Sequence, residues 1–273
     1  MADQSQPPPA AGEGGGPAFD PLPPRAAPVA PERWWGRHLA ELRWPAEAAR
    51  LFADPVFYGV DVPRGDGRPV VVLPGFLAGD ATLVPMALWL RRIGYRPYGC
   101  RFVVNVDCSQ RALERVERRA LALARRHGRR VALIGHSRGG HFAKAAAVRR
   151  PQDVSHAISL GGGLAAPFDI SIPTEAAVAV VRRVHRLTNG RARERGCLSE
   201  RCTCSFAEAY ASPFPAQVSL TSIYTKEDGV VRWRSCVVPY ADNVEVTGTH
   251  VGLAYNRQAY RAIARALARP ERG

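Results

Sequence analysis

The sequence predicts an α/β protein built on a mostly parallel sheet flanked by helices, and three observations predict it. From Pro69 onward, short β-branched runs alternate with helical stretches, as crossover connections between parallel strands require. Within "RRVALIGHSRGGHFAKAAAVRRP" (129–151), a G-x-S-x-G pentamer stands between a continuous apolar run and an alanine-rich stretch without a breaker before Pro151. Residues 161–217 break the alternation, so more than fifty residues are inserted between two strands.

Taken in order, Trp34 to Phe52 reads as an extra helix ahead of the sheet, its paired tryptophans packing on the domain. Strands are expected at 69–73, 96–103 (with uncertain ends), 130–134, 154–160, 218–224 and 242–246, where apolar and β-branched residues cluster. Val131 to Ile134 is apolar without alternation, which suits a strand covered on both faces. Helices are expected over Ala81–Ile93, Ser109–His127, His141–Arg150 and Leu253–Leu267, from apolar residues at three- to four-residue spacing; Gly128 closes the second. In the insertion, Thr174–Thr188 carries Ala177, Val180, Val181 and Val184 on one helical face. About 164–215 is thereby expected to form a lid or pocket wall beyond the carboxyl ends of the strands, or else a loop that only packs.

The composition limits the alternatives. A chain of 273 residues with 46% apolar content fits one sizeable core over 31–273. Residues 1–30, "MADQSQPPPAAGEGGGPAFDPLPPRAAPVA", are rich in Pro, Gly and Ala and bury too little apolar surface to order themselves, so a disordered tail is expected. That tail lacks the basic start and apolar stretch of a signal peptide, and no run reaches the roughly 18 apolar residues of a membrane span, which predicts a cytoplasmic protein. The net charge of +14 comes almost wholly from arginine, Lys144 and Lys226 being the only lysines. The arginines are scattered without aromatic interleaving, which argues against nucleic acid and leaves weak association with an anionic membrane surface as the open charge effect. Of six cysteines, Cys197, Cys202 and Cys204 crowd one loop, while Cys100, Cys108 and Cys236 are scattered. No metal-ligand spacing emerges, and the loop cysteines fit either a local disulfide or reduced thiols.

The chemistry-bearing residues follow from position. A serine nucleophile needs a strand, a strained turn and a helix; Gly135-His136-Ser137-Arg138-Gly139 occupies that setting, with glycines where the backbones crowd. Its general base should stand on a loop reaching back over the sheet. His250, in "EVTGTHVGL" between the last strand and the last helix, does so, whereas His38, His127, His136, His141, His156 and His185 read more simply as structural or surface residues. The orienting acid is expected after the preceding strand, where "SIYTKEDGVV" supplies Asp228 at a turn with Gly229 and Glu227 beside it. Oxyanion donors are expected from the backbone N–H of Arg138 and, in "VVVLPGFLAGD", of Phe76. The acyl pocket is expected to be apolar, lined by the insertion with Phe76 and Leu77.

"LPGFLAGD", "IGHSRGG", "YTKEDGVV" and "NVEVTGTH", standing in that order over about 69–268, resemble the α/β-hydrolase fold esterases and lipases, more narrowly a bacterial lipase-like branch whose oxyanion loop begins P-G-F. Two departures matter: Pro74 stands where many lipases carry histidine, and Val251 follows His250 where similar sequences often carry cysteine, leaving Cys236 without that partner. The resemblance implies a serine hydrolase that cleaves a small-molecule carboxylic ester through an acyl-enzyme, with Ser137, His250 and Asp228 as triad and no cofactor or metal. Thioester hydrolysis or acyl transfer on the same fold is the nearest alternative. A non-catalytic binding protein of this fold is the alternative from another class, and the intact Ser137, Asp228 and His250 argue against it.

Overall fold

The computed structural model describes residues 35–188, 198 and 203–272. The expected tail over 1–30 lies outside the described residues, as do Cys197 and Cys202.

The first described elements are two helices, α1 (Trp35–Ala40) and α2 (Trp44–Ala53), joined by a 3₁₀ turn, where one helix is expected over Trp34 to Phe52. Pro45 sits in the first turn of α2, where its missing N–H has no intrahelical acceptor to lose, and so it restarts the helix. Strand β1 (Pro69–Leu73) follows and is buried along its whole length. A 3₁₀ turn over Asp80–Leu83 leads to α3 (Val84–Arg92), and then to β2 (Arg96–Tyr98). This strand is shorter than the expected 96–103 because Asp80 intervenes: its Oδ2 accepts the Arg101 N–H at 2.7 Å, and Arg101 itself takes a φ of +60°, so the ladder stops.

Helix α4 (Ser109–His127) ends at Gly128, which adopts φ +64° as a left-handed cap. After it come β3 (Val131–His136), α5 (Arg138–Arg149), β4 (Val154–Leu160), α6 (Ile172–Thr188) and α7 (Ser205–Ala211), the last an element the sequence pattern did not suggest. Strand β5 (Ser219–Tyr224), the one-turn α8 (Trp233–Cys236), β6 (Asp242–Glu245) and α9 (Arg257–Leu267) complete the chain. The last helix starts later than the expected Leu253, since Val251–Tyr255 is a 3₁₀ turn and the Asn256 side chain caps α9 by accepting from the Gln258 and Ala259 amides.

Among the described residues the strands form one six-stranded, all-parallel sheet in the order β2-β1-β3-β4-β5-β6. Successive side chains of a strand point to opposite faces, so the sheet supports two cores. Val71, Leu73, Val131 and Leu133 pack with α4, α5 and α7; Val70, Val72, Ala132 and Ile134 pack with α3 and α9. From β1 the chain steps outward to β2 and then returns to place β3 on the other side of β1. The connections leaving the carboxyl ends of β1 and β3 therefore diverge, and in parallel sheets that reversal opens a crevice between them. The Gly75-Phe76 loop follows β1 and Ser137 follows β3, which brings both to that point.

Candidate active site

Ser137 has φ +51° and ψ −120°, a conformation that costs a non-glycine residue energy and persists only where the surroundings impose it. They do so here. The Ser137 N–H donates to Leu160 O at 2.7 Å, extending the β3–β4 ladder up to the turn, and α5 begins at the next residue. A Cβ on Gly135 would lie 2.1 Å from the Gly139 carbonyl carbon, and one on Gly139 would lie 2.2 Å from Leu73 O. The strand and helix backbones meet too closely for side chains at either position. Ser137 Oγ makes no hydrogen bond to any described residue and does not cap α5, so the hydroxyl faces the cavity uncommitted.

His250 and Asp228, the expected base and acid, are in contact. His250 Nδ1 and Asp228 Oδ2 are 2.6 Å apart, and both side chains are almost fully buried. Asp228 Oδ1 accepts the Val230 and Val231 amides at 2.8 and 2.7 Å, which holds the carboxylate facing the ring. Burial opposes protonation of His250, but the Asp228 charge, its hydrogen bond and the Glu41 charge outweigh it, and the pKa lies above the ordinary value. The two acidic candidates have different surroundings: Glu227 is exposed and pairs with Arg43 at 2.6 Å, whereas Asp228 is buried against His250.

The other histidines divide differently. His136 lies beside His250, with ring centroids 5.1 Å apart and its Nε2 2.9 Å from His250 O; burial, then the His250 charge, depress its pKa to about 4. His141, one turn into α5, is depressed to about 3 by burial and by Arg138 and Lys144, so it is neutral at ordinary pH. His156 contacts the buried Arg68 and Ser155 far down β4, while His127 packs on Tyr98 at the end of α4.

Opposite the serine turn, a Cβ on Gly75 would lie 3.2 Å from Ser137 Cβ, so the loop after β1 sits directly on the elbow. Buried Asn105 braces that loop: its Nδ2 donates to Pro74 O at 2.8 Å, its N–H donates to Ala78 O at 2.7 Å, and its carbonyl accepts the Leu77 N–H. The Arg138 guanidinium in turn donates to Asn105 Oδ1 at 2.7 Å and to Asp107 O at 2.6 Å. Arg138, expected to offer only its amide, thus ties the serine turn to the Phe76 loop through its side chain.

A cavity at Ser137 is lined by Phe76, Phe168, Ile170, Val178, Phe206 and Val231 among others, with Ser109, Ser137, Arg138, His141 and Thr174 as its polar members. Leu77, expected beside Phe76 in this pocket, does not line it; at φ +60° its side chain turns outward and is 54% exposed. The described residues of 164–215, from Pro167 to Val178 with Leu198 and Phe206, supply much of the wall, and Asp169 and Ile170 are stitched to the turn after Asp228 by the Ile170–Val231 bridge and by Asp169 with Arg232. Lys144 Nζ reaches Leu164 O at 3.0 Å and lies 4.1 Å from the centre of the Tyr210 ring; burial lowers its pKa to about 8. A separate, more polar cavity lies outside the acid and base turns, lined by Arg43, Glu47, Glu227, Gly248 and Arg257, and contains none of the three triad candidates.

Cys236 is a buried free thiol, and Cys204 is buried as well; the other two cysteines of its loop, Cys197 and Cys202, lie outside the described residues. Among the described residues no group of three or more His, Cys, Asp or Glu side chains could hold a metal ion, and no helix is long and apolar enough to cross a membrane.

No protein-family model matches the chain, and no curated protein matches it in sequence. Solved structures match it in three dimensions. The mature form of Bacillus licheniformis lipase BlEst2 is 14% identical with a TM-score of 0.54, covering 76% of this chain and 95% of that one. Paleococcus ferrophilus monoacylglycerol lipase is 16% identical with a TM-score of 0.52, covering 76% and 96%. A soluble variant of monoglyceride lipase from Saccharomyces cerevisiae, bound to a substrate analogue, is 12% identical with a TM-score of 0.54, covering 76% and 89%. The shared architecture is the α/β-hydrolase fold.

Proposed function

We propose, on the premise of an α/β-hydrolase fold, that this protein is a serine hydrolase that cleaves carboxylic esters of apolar acyl groups. The observation that carries the proposal is the buried 2.6 Å pair of His250 and Asp228, formed at the end of the sheet where Ser137 is held in a strained turn with its hydroxyl uncommitted.

In this reading the Asp228 carboxylate accepts the Nδ1 proton of His250, which leaves Nε2 as the free base. Ser137 Oγ attacks the acyl carbonyl while Nε2 takes its proton. The N–H groups of Phe76 and Arg138 stabilise the oxyanion, each worth about 3 kcal/mol when well aimed. The tetrahedral intermediate collapses, the histidine returns the proton to the departing alcohol, and water deacylates Ser137 by the same route in reverse. The acyl group occupies the cavity between Phe76, Phe168, Val178 and Phe206, with the 164–215 segment as its cap. The lipase and monoglyceride lipase neighbours support esters as the substrate class.

Labelling with a fluorophosphonate, mapped by mass spectrometry in the wild type, Ser137→Ala and His250→Ala, tests the reading. An adduct at Ser137 that is absent from both variants, together with hydrolysis of p-nitrophenyl esters, is expected. A folded wild type that neither labels nor hydrolyses, with or without detergent, would leave the fold without this chemistry.

A further inference from the structure

We propose that Glu41 is a positioning residue of the active site, a carboxylate clamp from the N-terminal helical segment that holds the acid turn and the base turn together and orients His250. The inference rests on the triad reading above.

The geometry is a convergence of three backbone donors on one carboxylate. Glu41 Oε1 accepts the Gly229 N–H at 2.9 Å and the His250 N–H at 3.0 Å, while Oε2 accepts the Val251 N–H at 2.8 Å. Gly229 directly follows the triad acid, and His250 is the triad base. A single side chain therefore fixes the two residues whose 2.6 Å contact the mechanism needs. His250 also precedes the 3₁₀ turn Val251–Tyr255, whose first amides have no acceptor of their own. A carboxylate at such an end satisfies those donors and is favoured by their aligned dipoles. Glu47 completes the arrangement one position upstream, accepting from the Thr249 N–H at 3.0 Å and Oγ1 at 2.9 Å.

The clamp is electrostatic as well as geometric. The groups facing His250 are Asp228 from the acid turn, Glu41 from the N-terminal segment, His136 from the end of β3, and His141 from α5. Both neighbouring histidines are neutral above about pH 5, since burial holds them at about 4 and about 3. The remaining charges near the ring are then the two carboxylates, and each favours imidazolium. Imidazolium is the form His250 takes as Ser137 attacks, so Glu41 favours the charge that develops on the base in the transition state. Glu41 does not line the acyl cavity and touches no substrate in this reading.

Glu41→Gln and Glu41→Ala separate the two roles. Glutamine can still present a carbonyl oxygen to Gly229 and His250, but it brings an N–H₂ to Val251 and carries no charge. For E41Q at low ionic strength, the acidic limb of the kcat/KM profile is expected to move to lower pH, because a negative charge that raises the His250 pKa has gone. For E41A, kcat is expected to fall by about tenfold to a hundredfold with little change in KM, because misplacing the base costs rate and leaves the acyl cavity intact. E41Q should recover most of that loss.

Fluorophosphonate labelling of the wild type is run alongside. A wild type that does not label at Ser137 refutes the functional reading itself; a wild type that labels while E41Q keeps an unshifted acidic limb overturns the clamp. If E41A does not fold, as judged by thermal melting, the E41Q profile alone decides. Equal losses in both variants with no shift would make Glu41 a structural brace only and would also overturn the proposal.

Discussion

Asp228→Asn probes the proposed chemistry most sharply, because the structure separates what the substitution keeps from what it removes. Oδ1 accepts two amides, from Val230 and Val231, and an asparagine carbonyl can accept both in the same place. The turn should therefore survive, with a melting temperature close to the wild type. The Oδ2 position becomes an amide N–H₂ facing His250 Nδ1, where a donor meets a donor. The ring relieves that conflict by moving its proton to Nε2, the atom that must be free to take the serine proton. The group loses its function while its position is preserved, and the expected fall in kcat is about 10⁴-fold. This is about 5 kcal/mol of transition-state stabilisation. Steady-state hydrolysis of a p-nitrophenyl ester at pH 8, with the melting temperature measured on the same preparation, reads both quantities. A folded D228N enzyme within tenfold of the wild type would falsify the assignment of Asp228 as the orienting acid.

The same geometry sets further expected outcomes. Asn105→Ala removes the side-chain part of the brace, the amide donor to Pro74 O and the Oδ1 acceptor of the Arg138 guanidinium, while its backbone bonds to the loop remain, so a loss of about 2 kcal/mol in denaturant unfolding and a lower kcat are expected. Gly139→Ala places a Cβ 2.2 Å from a backbone oxygen that cannot withdraw, and should destabilise by about 3 kcal/mol or abolish soluble expression. Val178→Trp fills the cavity and should shift the preferred p-nitrophenyl ester toward shorter acyl chains; an unchanged chain-length profile would move the acyl site elsewhere. The melting temperature should fall on acidification from pH 6.5 toward 4. His136 and His141 have folded pKa values of about 4 and about 3, below the ordinary 6.5, so the unfolded chain binds more protons in that window and stability is lost as pH falls. His250 acts with the opposite sign: its pKa is raised, so its contribution is present at low pH and lost as pH rises through the folded value. His141→Phe should flatten the acid-side fall.

Most strands, the serine turn and the order Ser137, Asp228, His250 are legible in the amino-acid sequence, because they are written in local patterns; the end of β2, set by contacts with Asp80, is not. Apolar runs such as Val131–Ile134 mark a strand covered on both faces, and glycines flanking Ser137 mark a crossing too tight for side chains. The position of His250 after the last strand also singled it out from the other histidines. Asp228 and Glu227 are adjacent, and although the turn with Gly229 pointed to Asp228, only the folded contact separates the buried partner of His250 from an exposed partner of Arg43.

The rest depends on contacts between residues far apart in the chain. Glu41 reads as an ordinary helix-surface glutamate, yet it closes on His250 across 209 positions of sequence. Asn105 and the Arg138 side chain lie in segments whose local pattern shows nothing of their link to Pro74, because a hydrogen bond between loops depends on where the sheet delivers them. Leu77 shows the converse: its apolar character suggested the pocket, but a positive φ turns the side chain away from it. Hydrophobic periodicity reports which face of an element is buried. The packing of the whole sheet decides which polar groups from distant loops arrive within hydrogen-bond reach at its carboxyl edge.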